Sequence, residues 1–134
     1  MAPSVPERHL LVVDDEPHVG LLLRPLLEPY GFSLHLARNL TDARSALANP
    51  ALAFDGMLLD LHLPDGFGLD LLAEVRSRKA TSALPVMVVT AEGEDHILRE
   101  VDALGATLLT KPFSPTKLTR QLRRLFGKTD EDLG

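Results

Sequence analysis

The chain has 134 residues, of which 45% are hydrophobic and 25% are charged, as is usual for one globular domain with its own core. The net charge of −5 argues against nucleic-acid binding by the whole domain, and the absence of cysteine excludes disulfides and thiolate metal sites. No apolar stretch is long enough to span a membrane, and the first residues do not resemble a signal peptide. We therefore expect a cytoplasmic protein that contacts neither membrane nor nucleic acid directly.

Short apolar runs alternate with helix-length segments along the chain, which predicts five strands and five helices. The predicted strands are residues 9–13, 32–37, 54–59, 84–89 and 106–110. Four of the predicted helices are residues 17–28, 41–48, 92–104 and 115–126. The remaining one, third in chain order, follows a loop with Pro64 and Gly66 and ends near residue 78. Residues typical of helix ends support these limits. Pro17 and Pro115 suit a first turn, Ser114 suits an N-cap, and Gly105 and Gly127 suit positions just after a last turn.

The hydrophobicity of the strands also predicts their order. Strands one, three and four are nearly continuous apolar runs, as expected where helices cover both faces of a sheet. Strand two alternates polar and apolar residues, and Thr107 and Thr110 interrupt strand five, so these two should lie at the edges. We predict an α/β fold with a doubly wound, five-stranded parallel sheet in the order 2-1-3-4-5. A flexible arm (1–8), one domain (9–127) and a tail (128–134) complete the predicted organisation.

Polar side chains follow four of the predicted strands, at the point where each strand ends. Asp14 and Asp15 follow strand one, Asp60 follows strand three, Thr90 strand four and Lys111 strand five. Because the carboxyl ends of parallel strands lie at one edge of a sheet, these side chains should converge. Carboxylates suit a hard cation, one of them can act as a nucleophile, and a hydroxyl with an ammonium can stabilise negative charge. The set predicts a phosphoryl-transfer site.

The motifs around these residues resemble the receiver domain of two-component response regulators, which has a flavodoxin-like (βα)5 fold. The resemblance covers residues 9–126, and its blocks occur in the expected order. They are Val12-Val13-Asp14-Asp15-Glu16, Leu59-Asp60-Leu61-His62-Leu63-Pro64-Asp65-Gly66, Leu84-Pro85-Val86-Met87-Val88-Val89-Thr90-Ala91, and Gly105-Ala106 followed by Lys111-Pro112-Phe113.

This resemblance implies that Asp60 accepts a phosphoryl group from a histidine kinase or a histidine phosphotransfer protein. It also implies a Mg²⁺ ion bound by Asp15, Asp60 and the backbone carbonyl of His62, with Asp14 acting through metal-bound water. The side chains of His62 and Glu92 would flank the path of the hydrolytic water and so influence the lifetime of the phosphorylated state.

The remaining motif residues receive supporting roles from the same resemblance. Lys111 would pair with the phosphoacceptor and then with a phosphoryl oxygen, and Thr90 would donate a hydrogen bond to another oxygen. Pro112 would follow a cis peptide bond that turns Lys111 into the site. Asp65 and Gly66 are interpreted as turn residues rather than as metal ligands.

Two positions depart from the family pattern. Leu108 stands where the family usually has Tyr or Phe, so the chain lacks the aromatic ring that normally turns inward after phosphorylation. Leucine can still repack there. Pro25 falls inside the first helix, where it should kink or shorten an element that commonly docks the phosphodonor.

We expect phosphorylation to change the surface made by helix four, strand five and helix five, because Thr90 and Lys111 connect the site to these elements. Basic residues on helix five could contact an output partner or a second copy of the chain, or could simply form a solvated helix end. These residues are Lys117, Arg120, Arg123 and Arg124.

Two other classes of function are less well supported. Phosphatases of the haloacid-dehalogenase type also place a nucleophilic aspartate at a strand end, but usually have a second aspartate where this chain has His62. A phosphorylation-independent interaction module would not need the complete polar set. We do not expect an enzyme that acts on a separate substrate, only phosphorylation and dephosphorylation of the chain itself.

Overall fold

A computed structural model describes residues 7–91 and 94–126, which form a parallel sheet with helices on both faces. The strands of this sheet are β1 (Arg8–Val13), β2 (Phe32–Ala37), β3 (Gly56–Leu59), β4 (Val86–Thr90) and β5 (Thr107–Thr110). They pair in the order β2-β1-β3-β4-β5, and every pair is parallel. The predicted doubly wound α/β sheet and its strand order are therefore confirmed.

Five described helices cover the sheet. They are α1 (Val19–Leu27), α2 (Leu40–Ala48), α3 (Gly68–Ser77), α4 (Asp95–Ala103) and α5 (Pro115–Leu125), and a 3₁₀ turn (Glu28–Tyr30) follows α1. Helices α1 and α5 pack on one face, whereas α2, α3 and α4 pack on the other. Within the described part of the chain, no helix has both the length and the apolar character needed to cross a membrane.

The side chains of each central strand divide between these two cores. On β1, Leu10 and Val12 pack toward α1 and α5, whereas Leu11 and Val13 pack toward α2, α3 and α4. All four are buried, which explains why the strand is apolar without alternation. Exposed and partly buried residues interrupt β2 and β5, in agreement with their edge positions.

Some predicted boundaries are wrong. Helix α1 begins at Val19 rather than Pro17, because the backbone N–H of Val19 first closes a turn onto the carbonyl of Glu16 at 3.2 Å. Strand β4 begins at Val86 rather than at residue 84, since Pro85 has no N–H to donate and the carbonyl of residue 84 accepts a side-chain hydrogen bond. Pro25 lies inside α1, which continues for two residues beyond it.

The loop predicted after the third strand contains a small antiparallel hairpin. Its strands are His62–Leu63 and Gly66–Phe67, so Pro64 and Asp65 form the turn between them. Gly66 has a φ of +154°, a conformation that residues with a Cβ rarely adopt. The segment that follows Asp60 is therefore ordered by its own backbone pairing.

The chain termini differ in part from the prediction. Arg8, which we placed in the flexible arm, is the first residue of β1, and its guanidinium lies 4.5 Å from the ring centroid of Phe126. The rest of the predicted arm up to residue 6, residues 92–93, Gly127 and the tail at 128–134 lie outside the described residues. The fourth helix, predicted to start at residue 92, begins at Asp95, because Glu94 before it has an extended backbone. The domain limits stay predictions.

Capping residues confirm several of the predicted helix ends. The Ser114 hydroxyl accepts a hydrogen bond from the backbone N–H of Lys117 at 3.1 Å, as expected of an N-cap. Gly105 follows α4 with a φ of +67°, the left-handed conformation expected after a helix.

Arg76 on α3 ties together two loops at the opposite edge of the sheet from the polar set. Its guanidinium donates to the carbonyls of Leu104 at 2.5 Å and Gly105 at 3.2 Å, which end α4. It also donates to the carbonyls of Leu84 at 2.7 Å and Ser82 at 3.3 Å, which precede β4. One cation thereby satisfies backbone acceptors that the sheet and helices leave open.

Replacing Arg76 by Met should lower the free energy of unfolding by about 1–3 kcal/mol, because partly buried carbonyls lose their donors. Urea denaturation of the variant and the wild type measures the difference. Arg78→Met is the matched control, since Arg78 is an exposed arginine just beyond the same helix. Equal losses in the two variants would contradict the role of the Arg76 hydrogen bonds.

Candidate functional site

Backbone hydrogen bonds extend past the ends of two neighbouring strands and hold the first aspartates of the site. The N–H of Asp14 donates to the carbonyl of Ala37 at 3.0 Å, and the N–H of Asp60 donates to the carbonyl of Val13 at 2.9 Å. Both aspartates therefore belong to the ladder of the sheet, although each follows the last assigned strand residue. The carboxyl edge of the sheet fixes where these two side chains begin.

Three carboxylates converge at this edge, as predicted. Asp14, Asp15 and Asp60 each offer one oxygen, and these atoms all lie within 4.8 Å of one another. The side chains of Asp14 and Asp60 are largely buried and Asp15 is exposed, so the cluster opens toward solvent beside Asp15. An all-oxygen set of this charge fits a small, hard divalent cation, which would also relieve the repulsion among the carboxylates.

Lys111 supplies a positive charge beside this cluster. Its Nζ lies 3.0 Å from an oxygen of Asp60 and 3.3 Å from an oxygen of Asp14. Burial lowers the pKa of Lys111, but the hydrogen bond to Asp60 and the charges of Asp14 and Asp60 outweigh it, so the pKa lies above its usual value. The ammonium is therefore charged at neutral pH.

Thr90 and Lys111 are joined through the backbone. Thr90 is the last residue of β4 and is 1% exposed, and its carbonyl accepts a hydrogen bond from the N–H of Lys111 at 2.8 Å. The peptide bond between Lys111 and Pro112 is cis, as predicted. Both residues thus lie at the carboxyl edge that carries the aspartates.

The other residues predicted to influence the site differ in their exposure to solvent. The N–H of His62 donates to an oxygen of Asp60 at 3.1 Å, and the exposed His62 ring lies 5.6 Å from the ring centroid of Phe67. Leu108 on β5 is partly buried and packs against the core shared with α2, α3 and α4. Glu92 lies outside the described residues.

An apolar cleft of about 780 Å³ adjoins the polar cluster on the side of α1 and α5. Asp60 and Lys111 lie at its polar end, and its apolar walls include Leu22, Pro25, Leu26, Phe113 and Leu118. Leu22 is 64% exposed, and its neighbour Leu21 is 73% exposed. Large apolar side chains thus flank the approach to the carboxylates from this side.

Two residues with structural influence on the site escape sequence reasoning. The carboxylate of Asp65 accepts hydrogen bonds at the start of α2, in addition to occupying the predicted turn. Gly68, which begins α3, approaches the carbonyl oxygen of Asp60 so closely that a Cβ would collide with it. No local pattern marks either contact, because the partners of Asp65 lie 24 and 25 residues earlier in the chain and the approach of Gly68 to Asp60 depends on the hairpin between them.

Lys111→Met should lower the free energy of unfolding at pH 7 without added metal by about 1–3 kcal/mol, because the carboxylates lose their hydrogen-bonded cation. Since the folded-state pKa of Lys111 is raised, this stabilisation is fully present below the unfolded-state pKa and disappears as the pH rises through the folded-state pKa. Urea unfolding provides the measurement.

Lys117→Met is the control for this experiment, because Lys117 is exposed on α5. We expect it to change stability by no more than about 0.5 kcal/mol. A Lys111→Met protein as stable as the control would show that the ion pairs contribute nothing to the fold.

Comparison with known proteins identifies the class to which this site belongs. A family model described as the response regulator receiver domain matches residues 10–123. The transcriptional regulatory protein ResD of Bacillus subtilis is 31% identical over 128 residues, which are 93% of this chain and 50% of ResD. The chain spans about half the length of the curated relatives it matches.

Solved structures agree in fold. The non-phosphorylated HemR receiver domain of Leptospira biflexa is 32% identical with a TM-score of 0.79, and the match covers 90% of this chain and 95% of that one. The receiver domain of the sensor histidine kinase PA1611 of Pseudomonas aeruginosa PAO1 has a magnesium ion coordinated in its active-site cleft. It is 26% identical with a TM-score of 0.76, and the match covers 92% of this chain and 100% of that one. The chain therefore belongs to the response regulator receiver domains, the phosphoacceptor modules of two-component signalling.

Proposed function

We propose that Asp60 is the residue of this receiver domain that takes up the phosphoryl group. The observation that carries the proposal is the pairing of the Asp60 carboxylate with the Lys111 ammonium at 3.0 Å, beside two further carboxylates. The side chains of Asp14 and Asp60 are almost equally buried, at 11% and 12% exposed, but the Lys111 Nζ lies 3.3 Å from Asp14 and 3.0 Å from Asp60. Both aspartates border the cleft through which a donor could approach, and Asp60 directly follows the central strand β3.

The reaction transfers a phosphoryl group from a phosphohistidine to the carboxylate. An oxygen of Asp60 attacks phosphorus, the P–O bond forms as the P–N bond breaks, and the bonding electrons leave with the imidazole, which takes up a proton. Lys111 then pairs with one phosphoryl oxygen, and the Thr90 hydroxyl donates a hydrogen bond to another. These side chains hold the charge that the carboxylate gains on becoming an acyl phosphate.

The cation of this site is proposed to be Mg²⁺. Asp15, Asp60 and the backbone carbonyl of His62 would bind it directly, and Asp14 would act through a bound water. The proposal is supported by the all-oxygen donor set and by the magnesium ion in the related PA1611 domain. When bound, Mg²⁺ supplies positive charge that offsets the carboxylates and the phosphoryl oxygens.

The partner that delivers the phosphoryl group is proposed to be a cytoplasmic histidine kinase or histidine phosphotransfer protein. It would cover α1, since Leu21 and Leu22 are exposed there and the apolar cleft leads from Leu22 to Asp60. Pro25 lines the same cleft, so any bend that this proline causes in α1 would change the shape of the proposed docking surface. Apolar contacts of this kind bring a partner close without adding charge to the carboxylate cluster.

The output surface is proposed to be α4, β5 and α5, used by an output partner or by a second copy of the chain. Thr90 ends β4 before the segment leading to α4, and Lys111 directly follows β5, so a phosphoryl group that binds both side chains would act on these elements. Exposed basic residues on α5 offer charged contacts: Lys117, Arg120, Arg123 and Arg124. Leu108 can repack on β5 but presents no ring.

Incubation with acetyl phosphate and MgCl₂ should add one phosphoryl group to the wild-type protein and none to Asp60→Asn, because the amide is a poor nucleophile. Intact-mass spectrometry measures the product. Asp55→Asn is the control, since this acid precedes the same strand at its other end and accepts from the N–H of His9 at 2.7 Å. Equal labelling of Asp60→Asn and the wild type would disprove the assignment. Absence of labelling in the wild type would favour a phosphorylation-independent module.

Beryllofluoride, a phosphoryl mimic, should shift the amide resonances of α4 and of the segment after Thr90 more than those of α2. The physical reason is that Thr90 and Lys111 can both contact the mimic in only one of two conformations, so its binding favours that conformation. Two-dimensional NMR gives the measurement, with Asp60→Asn as the unresponsive control. Shifts confined to α2 and α3, with α4 unchanged, would place the output on another surface.

A further inference from the structure

The hairpin that follows Asp60 is tied at its turn to a helix far away in sequence. One oxygen of the Asp65 carboxylate accepts from the N–H of Leu40 at 2.7 Å. The other accepts from the N–H of Thr41 at 3.0 Å and from the Thr41 hydroxyl at 2.9 Å. A single side chain therefore joins the tip of the hairpin to the first turn of α2.

This contact completes the N-terminus of α2. The first N–H groups of a helix have no partner within the helix. Asn39, the local N-cap, accepts from the N–H of Asp42 at 2.7 Å, and Asp65 takes the two N–H groups before it. The hydrogen bond from Leu40 is the main cause that lowers the pKa of Asp65, and the positive end of the helix also suits its charge.

Backbone pairing within the hairpin connects the Asp65 contact to the proposed phosphoacceptor. His62 pairs with Phe67, and Leu63 pairs with Gly66, so the turn and the base of the hairpin are linked by backbone pairing. At the base, the N–H of His62 donates to the Asp60 carboxylate at 3.1 Å. A displacement of the turn would therefore be transmitted to the side chain of Asp60.

The first residue of α3 also contacts the base of the hairpin. The N–H of Gly68 donates to the carbonyl of Leu61 at 2.7 Å, and Gly68 lies directly against the carbonyl oxygen of Asp60. Leu61 is completely buried. The hairpin is thus fixed at its base by packing and at its tip by one carboxylate.

We propose that Asp65 is a positioning residue for phosphoryl transfer: its tie to α2 fixes the hairpin and, through it, the Asp60 carboxylate and the backbone of His62. The inference rests on the proposed function of Asp60 and adds a residue that touches neither phosphorus nor metal. Catalysis by positioning is sensitive to small displacements, and one of about 1 Å can slow a reaction about a hundredfold.

The test compares Asp65→Ala with Asn39→Ala. Both variants remove acceptors from the first turn of α2, but only Asp65→Ala releases the hairpin. We expect both to lower the urea midpoint of unfolding. We expect only Asp65→Ala to reduce the initial rate of phosphorylation by acetyl phosphate about tenfold at saturating Mg²⁺. The same variant should bind Mg²⁺ more weakly in a calorimetric titration, because the backbone of His62 is displaced.

Two milder variants keep the test informative if Asp65→Ala folds poorly. Thr41→Val removes only the hydroxyl hydrogen bond and should react within about twofold of the wild-type rate. Asp65→Asn keeps the shape and one acceptor oxygen and should react at a rate between those of the wild type and Asp65→Ala. A graded loss of rate across the series would support positioning.

Two outcomes would overturn the inference. If Asp65→Ala and Asp65→Asn react at the wild-type rate, the tie has no effect on the phosphoacceptor. If Asn39→Ala is slowed as much as Asp65→Ala, the effect comes from the stability of α2 alone. The parallel Asp60→Asn measurement separates the two proposals. If Asp60→Asn is not labelled but Asp65→Ala reacts at the wild-type rate, only the positioning role of Asp65 is disproved. If Asp60→Asn is labelled, the assignment of Asp60 as the phosphoacceptor is itself disproved.

Discussion

The pairing of Lys111 with the carboxylates of Asp60 and Asp14 is the interaction on which the site depends. Backbone hydrogen bonds at the carboxyl edge fix Asp14 and Asp60, and Asp15 follows Asp14 directly in the chain. The mutual repulsion of the three carboxylates opposes their closeness. One ammonium offsets only part of this charge. The remaining excess accounts for the fit to a divalent cation, and a phosphoryl group on Asp60 would increase the need for one.

The two helical layers hold different parts of this arrangement. The layer of α1 and α5 forms the apolar cleft that borders Asp60 and carries the exposed leucines, so it is the layer on which we propose that the phosphodonor docks. The layer of α2, α3 and α4 carries ties from side chain to backbone. Asp65 joins the hairpin to α2, and Arg76 joins α3 to the end of α4. The apolar cleft and these side-chain ties therefore lie on opposite faces of the sheet.

Membership of the receiver family also resolves one alternative suggested by the sequence. A phosphatase of the haloacid-dehalogenase type is not supported, since the family match spans residues 10–123. Leu108 distinguishes this chain in another way. It lies partly buried in the core and has no ring to offer to a partner, and the hydrogen bond from the Lys111 N–H to the Thr90 carbonyl links the end of β5 to that of β4.

The sequence by itself determined the strand order and the residues that meet at the carboxyl edge, because apolar periodicity is local and parallel strands all end on one side of a sheet. It placed the starts of α1 and β4 incorrectly, because α1 begins only after a turn from Glu16 to Val19 and Leu84 before β4 accepts a hydrogen bond from the distant Arg76. Only the tertiary structure paired Asp65 with α2 and set Gly68 against Asp60. Both contacts depend on how the hairpin and its neighbouring helices pack, and no local pattern specifies which donor or carbonyl will lie opposite.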